Sequence, residues 1–253
     1  MAQKVPYTLV VPTAYGQMLV NRYDTNQTNA LIKTTQAFDA GEVKLFADLA
    51  LRLPAGSTFL DIGANFGVFS MAVAPVLAAR GGQVHAFEAQ RIIAYMLCGS
   101  VALNSLENLH VHHAAVGDAA GQIDIPAFDY GVASSFGSIE FGGEQKEFIG
   151  QPRQGTSGDK VSLLRIDDLN FTQVGLVKID VEGMEEAVLR GAATTLARDR
   201  PWVLIEWLKS DRAALAGFFE NLGYAVFRAG GNLFCVPPQP AFAIQHSLPS
   251  WRE

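Results

Sequence analysis

Phe59-Leu60-Asp61-Ile62-Gly63-Ala64-Asn65-Phe66-Gly67 is the stretch that decides the fold: an apolar strand runs into a glycine-bearing turn, and the turn into a helix-length apolar run. Glycine reaches backbone conformations closed to other residues and lets a ligand approach the main chain closely. The helix that follows presents its first free N–H groups to the same spot. A ligand is therefore expected at this turn. A dinucleotide turn would read G-x-G-x-x-G with no acid at the strand end. Here Asp61 comes first and Gly63 and Gly67 stand four positions apart, which suits a ligand with a cationic end.

Outward from this turn, short β-branched runs alternate with amphipathic stretches of helix length, the pattern of a parallel sheet covered by helices on both faces. The expected strands are 57–61, 83–88, 109–116, 176–180, 202–207, 224–228 and 232–236, with helices after Gly67, Arg91, Gly183 and Asp211. Only Ala229-Gly230-Gly231 separates the last two strands, too few residues for a crossover helix, so that pair is an antiparallel hairpin. The expected fold is α/β: a doubly wound, seven-stranded, mostly parallel sheet with one antiparallel strand. Residues 57–236 form this domain. Residues 1–56 read as an N-terminal extension, a strand pair turned at Ala14-Tyr15-Gly16 and a helix ending near Leu53-Pro54, packed on the core. Residues 129–160, rich in Gly and Ser, read as a lid or acceptor loop, and 237–253 as a C-terminal strap.

At 253 residues, 49% apolar and 17% charged, the chain can bury one large core. A net charge of −6 and a lack of basic runs argue against nucleic acid, whose binding draws on clustered Lys and Arg. Local dipoles can still hold a small charged molecule, so a small-molecule partner is expected. Cys98 and Cys235 both lie in apolar stretches and read as buried free thiols, which favours the cytoplasm. The longest apolar run, near 68–79, carries Ser70 and Pro75 and is too short to span a bilayer, so no membrane segment is expected. Oligomeric state is not legible.

Glu88 ends the second strand twenty-one positions beyond Gly67, where an acid in a βαβ unit accepts hydrogen bonds from ribose hydroxyls. The third strand ends in Ala114-Ala115-Val116-Gly117-Asp118, small residues able to wall an adenine ring, with Asp118 reaching its edge. Together with the turn, these features indicate a nucleoside joined to a cationic group such as an α-ammonium. His110, His112 and His113 share the third strand, but period-two geometry turns His113 away from the other two, which argues against a metal site there.

Asp61-Ile62-Gly63-Ala64-Asn65-Phe66-Gly67, Phe87-Glu88-Ala89, Ala115-Val116-Gly117-Asp118 and Val177-Lys178-Ile179-Asp180-Val181-Glu182-Gly183 occur in that order. With Leu189-Arg190-Gly191-Ala192 and Leu222-Gly223-Tyr224, this set resembles the FkbM-type methyltransferases over roughly residues 10 to 236. The resemblance implies a Rossmann-like class I methyltransferase fold and S-adenosylmethionine as cofactor. It also implies O-methylation of a hydroxyl on a sugar, polyketide or other small natural product. The expected donor contacts are Asp61, Gly63, Ala64, Asn65, Gly67, Glu88, Ala89, Ala115, Val116 and Asp118. Glu42, at the head of the N-terminal helix, is added as a partner for the methionine amino group.

Methyl transfer from a sulfonium is an in-line displacement, and a neutral hydroxyl needs a group to take its proton. Asp180 is assigned that base or orienting role, with Glu206 as the alternative and Glu182 beside them. Lys178 shares a strand face with Asp180 and is expected to pair with it. No metal ligand is assigned, although such carboxylates are also compatible with Mg²⁺. Acceptor contacts are expected from Tyr130, Phe136 and Phe141 in the long loop and from Tyr15, Asn21 and Asp24 near the N-terminus. The competing readings are a nicotinamide-dependent oxidoreductase and a catalytically silent nucleoside-binding protein of the same fold.

Overall fold

The computed structural model describes residues 5–140, 148–152, 154–240 and 242–253. The chain opens with an antiparallel hairpin, β1 (Thr8–Thr13) and β2 (Gly16–Asn21), followed by α1 (Gln27–Thr34) and α2 (Ala40–Ala50). The N-terminal segment thus holds two helices where the sequence indicated one. The hairpin lies on a later helix through Leu19 N–H donating to Ser100 Oγ at 2.8 Å and a two-way bond between Gln17 and Asn104.

The core begins with β3 (Thr58–Ile62), whose five residues are all buried, as a central parallel strand requires. It continues through α3 (Val68–Ala78), β4 (Gln83–Glu88), α4 (Arg91–Leu103) and β5 (Leu109–Val116). Then come β6 (Gly121–Ala127), β7 (Gln154–Leu164), β8 (Val174–Ile179), α5 (Glu185–Gly191) and α6 (Ala193–Asp199). The domain closes with β9 (Trp202–Glu206), α7 (Arg212–Asn221) and the hairpin β10 (Ala225–Ala229) and β11 (Asn232–Val236).

The large sheet runs β10-β11-β9-β8-β3-β4-β5-β7-β6. The seven strands expected from the sequence form its contiguous body, with β11 antiparallel to both β9 and β10. The sheet nevertheless has nine strands, not seven. β7 adds to β5 in parallel and β6 to β7 antiparallel, giving a second reversed strand at the far edge. The Gly- and Ser-rich composition that made residues 129–160 read as a loop also hid the start of β7, QGTSGDKVSLL.

One buried cluster joins Phe46 of α2, Phe69 of α3 and Leu97 of α4 to the sheet at Phe59, and a second fills the other face from Leu60 to Phe219. Both cysteines are free; Cys235 is buried, but Cys98 is exposed on α4, against expectation. The tail returns beside β10, where Ser250 bridges to Phe227, and Phe242 stacks on Trp202 of β9 at 5.3 Å. Among the described residues no helix is long and apolar enough to cross a membrane.

Candidate functional site

A cleft of about 440 Å³ opens where β3, β4, β8 and β9 end. That volume lies within the roughly 300–1,000 Å³ of small-molecule sites, and the carboxyl edge of such a sheet is where they form. The glycine turn makes one wall. Gly63 has φ +81°, and a Cβ there would sit 1.8 Å from the Asp180 carbonyl oxygen, so only glycine lets β3 and β8 end this close together. Gly63 and Ala64 donate their N–H groups to the Phe87 carbonyl at 3.0 and 2.9 Å, which ties the turn to β4.

Glu88 stands at the next corner, 5% exposed. It accepts from the Asn65 amide at 2.8 Å and the Gln90 amide at 2.7 Å. Burial outweighs those bonds and pushes its carboxyl up to about 7. Ala89, Ala114, Ala115 and Val116 extend this wall with small side chains. Asn65 Oδ1 is buried with no hydrogen-bond partner.

The floor is charged. Lys178 Nζ donates to the Gly63 carbonyl at 2.8 Å, pairs with Asp180 at 3.2 Å and lies 3.9 Å from Asp61. Burial alone would lower the lysine, but Asp180, Asp61 and Asp39 outweigh it and raise it. Asp180, Glu182 and Glu206 offer carboxylate oxygens all within 4.8 Å of one another. Burial and the neighbouring acids push Glu206 up to about 9. Burial and Asp180 push Glu182 up to about 8, although Lys209 pairs with it. The positive φ of Glu182 (+56°) marks the chain turning sharply beyond β8. Glu185, 1% exposed, fixes that turn by accepting from the Val181 and Gly183 amides.

The opposite wall comes from the N-terminal segment through Asp24, Gln27, Phe38, Asp39 and Glu42. Burial raises the carboxyls of Asp24, Asp39 and Glu42.

The family model of the methyltransferase FkbM domain matches residues 61–226. The chain belongs to the FkbM methyltransferase family. Its structure is similar to that of the methyltransferase FkbM from Methylobacillus flagellatus KT, with a TM-score of 0.53 and 15% identity over 84% of this chain. The match covers 55% of that protein, so this chain spans little more than half its length. More distant likenesses include a precorrin-6y C5,15-methyltransferase from Geobacter metallireducens GS-15 (TM-score 0.45, 12% identity, 78% of this chain and 86% of that one). Another is a putative rRNA methylase from Clostridium thermocellum (TM-score 0.47, 10% identity, 77% and 94%). No curated protein matches the chain.

Within this FkbM domain, Gly63, Ala64, Asn65, Glu88, Ala89, Ala115, Val116, Asp180, Glu182 and Glu206 line one cleft, and Glu42 reaches it from the N-terminal segment. Three expected donor contacts do not. Asp61 is fully buried beneath the turn, where Ser70 donates to it through N–H (3.1 Å) and Oγ–H (2.6 Å), so it braces α3 and Lys178. Gly67 lies against Leu97, where a Cβ would meet a methyl carbon at 2.2 Å; its role is to let α4 approach α3. Asp118 is on the surface, paired with Arg190 at 2.9 Å.

Of the acceptor candidates among the described residues, only Asp24 reaches the cleft. Tyr130 and Phe136 stack on each other at 5.1 Å and pack inward, Tyr15 OH accepts from the Ala37 amide, and Asn21 is buried against the Tyr130 carbonyl. Phe141 lies outside the described residues. His85, His110 and His112 form a ring stack, while His113 faces the Ala89 carbonyl at 3.2 Å. Sequence reasoning missed Gln90, Gln27 and Asp39. Asp39 carried a usable signal, an acid directly before a helix; the amides carried none.

Proposed function

We propose that this chain transfers a methyl group from S-adenosylmethionine to a hydroxyl of a small acceptor. The observation that carries the reading is the joining of the Gly63 turn and buried Glu88 to the Asp180–Glu182–Glu206 carboxylates in one cleft. Glu88 offers an acceptor to ribose hydroxyls, and Ala89, Ala115 and Val116 leave room for a flat base. Once bound, the donor supplies an electrophilic methyl carbon on a sulfonium.

The protein's part is placement and proton handling. Holding the reacting groups in line is worth up to about 7–11 kcal/mol in favourable cases. Asp180, paired with Lys178, accepts the hydroxyl hydrogen and aims the oxygen. As the oxygen–carbon bond forms and the sulfur–carbon bond breaks, the hydroxyl proton passes to Asp180, because Glu206, pushed up to about 9, already holds a proton of its own near neutral pH. Asp61 acts from below by fixing Lys178 and α3. The same carboxylates fit a hard divalent cation, and transfer that survives exhaustive chelation would reject such a requirement.

Calorimetric titration with S-adenosylmethionine, S-adenosylhomocysteine and NAD tests the reading. Binding of the first two without NAD is expected. Binding of NAD alone would move the chain to the oxidoreductases, and donor binding without transfer to any acceptor would make it a silent binding protein.

A further inference from the structure

We propose that the wall built by residues 24–39 binds the methyl acceptor, and that this acceptor is a hydroxylated compound bearing a protonated amine. The inference rests on the methyl-transfer reading, because it assigns the part of the same cleft that faces the donor wall.

Asp24 is the first observation. It lines the cleft and is only 1% exposed. Its Oδ2 accepts from the Thr28 amide at 2.7 Å, while its Oδ1 makes no hydrogen bond of good geometry, although the Phe136 and Asn26 amides lie close enough to lower the carboxyl. Buried carboxylate oxygens are nearly always satisfied, so an orphan on a cavity wall marks a place where a ligand brings the donor.

The second observation is the balance of charge. Among the described residues lining the cleft, Lys178 is the only Lys or Arg, and Asp180 and Asp61 already hold it. Asp39 sits close enough to Lys178 and Asp180 to feel both charges, and its one side-chain bond is a long 3.4 Å contact from Gln27. Glu42 in turn feels Asp39. A neutral polyol would supply donors yet leave this negative charge uncompensated; an ammonium supplies donors and charge together. Phosphate or carboxylate groups would be repelled.

Phe38 is the third. It lines the cleft yet is 72% exposed, so a ring face is presented at the mouth, where a cation gains from the aromatic quadrupole. The hydroxyl requirement comes from the reaction, since the nucleophile must reach Asp180.

The test uses the full chain saturated with S-adenosylhomocysteine. Ethanolamine, glucosamine and tyramine are each compared with their N-acetyl forms, and glucose with glucose 6-phosphate, by ligand-observed NMR. The expected result is at least one amine binding about tenfold or more tightly than its N-acetyl form, with no binding of the phosphate. Asp24→Asn and Asp39→Asn should each lose that preference while binding S-adenosylhomocysteine as the parent does; Asp39→Asn carries the test if Asp24→Asn fails to fold. Equal binding of amines and N-acetyl forms, or of neither, overturns the proposal. So does weakened S-adenosylhomocysteine binding in folded variants, which would hand this wall to the donor. Failure of the parent protein to bind S-adenosylhomocysteine would instead overturn the methyl-transfer reading itself.

Discussion

The wall at the ends of β3 and β4 is made of main chain and closed by main chain, whereas the floor at the ends of β8 and β9 is made of side chains that repel one another. In the wall, amides of Gly63 and Ala64 meet the Phe87 carbonyl, and amides of Asn65 and Gln90 meet Glu88. In the floor, Asp180, Glu182 and Glu206 crowd together with Lys178 and Lys209 against only two of them. The wall is fixed before any ligand arrives, and its tolerance to change is set by sterics. The floor is poised electrostatically, and its tolerance is set by charge and pH.

Gly63→Ala should break the wall and gives the largest expected effect. Its new methyl would lie 1.8 Å from the Asp180 carbonyl oxygen in a left-handed backbone, and backbone cannot rotate aside. We expect a loss above about 3 kcal/mol, roughly 6–12 °C in Tm for a chain of this size, with S-adenosylhomocysteine binding lost. Thermal denaturation checks this, and a variant melting with the parent would mean the two strand ends part easily. Asp180→Asn should spare the wall and disable the floor. Turnover should fall by about 10²–10⁴-fold while S-adenosylhomocysteine affinity stays the same; unchanged turnover in a kinetic assay would remove Asp180 from the reaction.

The same contrast explains what could be read from sequence. Each of the seven body strands is an apolar run between turns, and the short Ala229-Gly230-Gly231 link forced the β10–β11 hairpin. The start of β7 was not legible, because Gly155, Ser157, Gly158 and Lys160 lack the β-branched signature, and β6, GQIDIPA, carries only two β-branched residues and a proline. The wall could be read because its residues follow one another along β3, the turn and β4. The floor could be read only as candidate acids, since period-two geometry gives a side chain's face but not its partner. Nothing in the sequence placed Lys209 on Glu182, some twenty-seven positions away, or turned Tyr130 and Phe136 inward onto each other. The Asp24 wall depends on a hairpin and two helices arriving over the sheet, a long-range outcome that local patterns do not encode.

Glu206→Gln should sharpen the contrast through pH. The folded protein holds a proton on Glu206 up to about 9, well above the ordinary carboxyl value of 4.5. Below that ordinary value both folded and unfolded chains are protonated, and the contribution to stability is intact. As pH rises through about 9 the folded state must release the proton among like charges, and the contribution is lost. The parent should therefore lose Tm between about pH 5 and pH 9, and Glu206→Gln should lose less, by a few degrees at the alkaline end. Parallel melting curves across that range would show that the floor is not crowded with charge. Turnover should fall less than in Asp180→Asn, on the order of tenfold, because Asp180 still aims the hydroxyl.

Asp118→Asn sets the outer limit of the wall and should change least. Asp118 stands two positions past the end of β5, where the Ala115-Val116 lining stops, and its carboxylate turns outward to Arg190. Arg190 belongs to the Leu189-Arg190-Gly191-Ala192 run that accompanies the family resemblance, so two of the recognisable segments hold each other at the surface, outside the cleft. The pair is solvent-exposed on both sides, and water and salt screen most of its attraction. S-adenosylhomocysteine affinity and Tm should both match the parent within error when measured by calorimetry and thermal denaturation. A clear loss of affinity would mean that the chain beyond Val116 swings inward when ligand binds, and the wall would then be less fixed than its main-chain bonding implies.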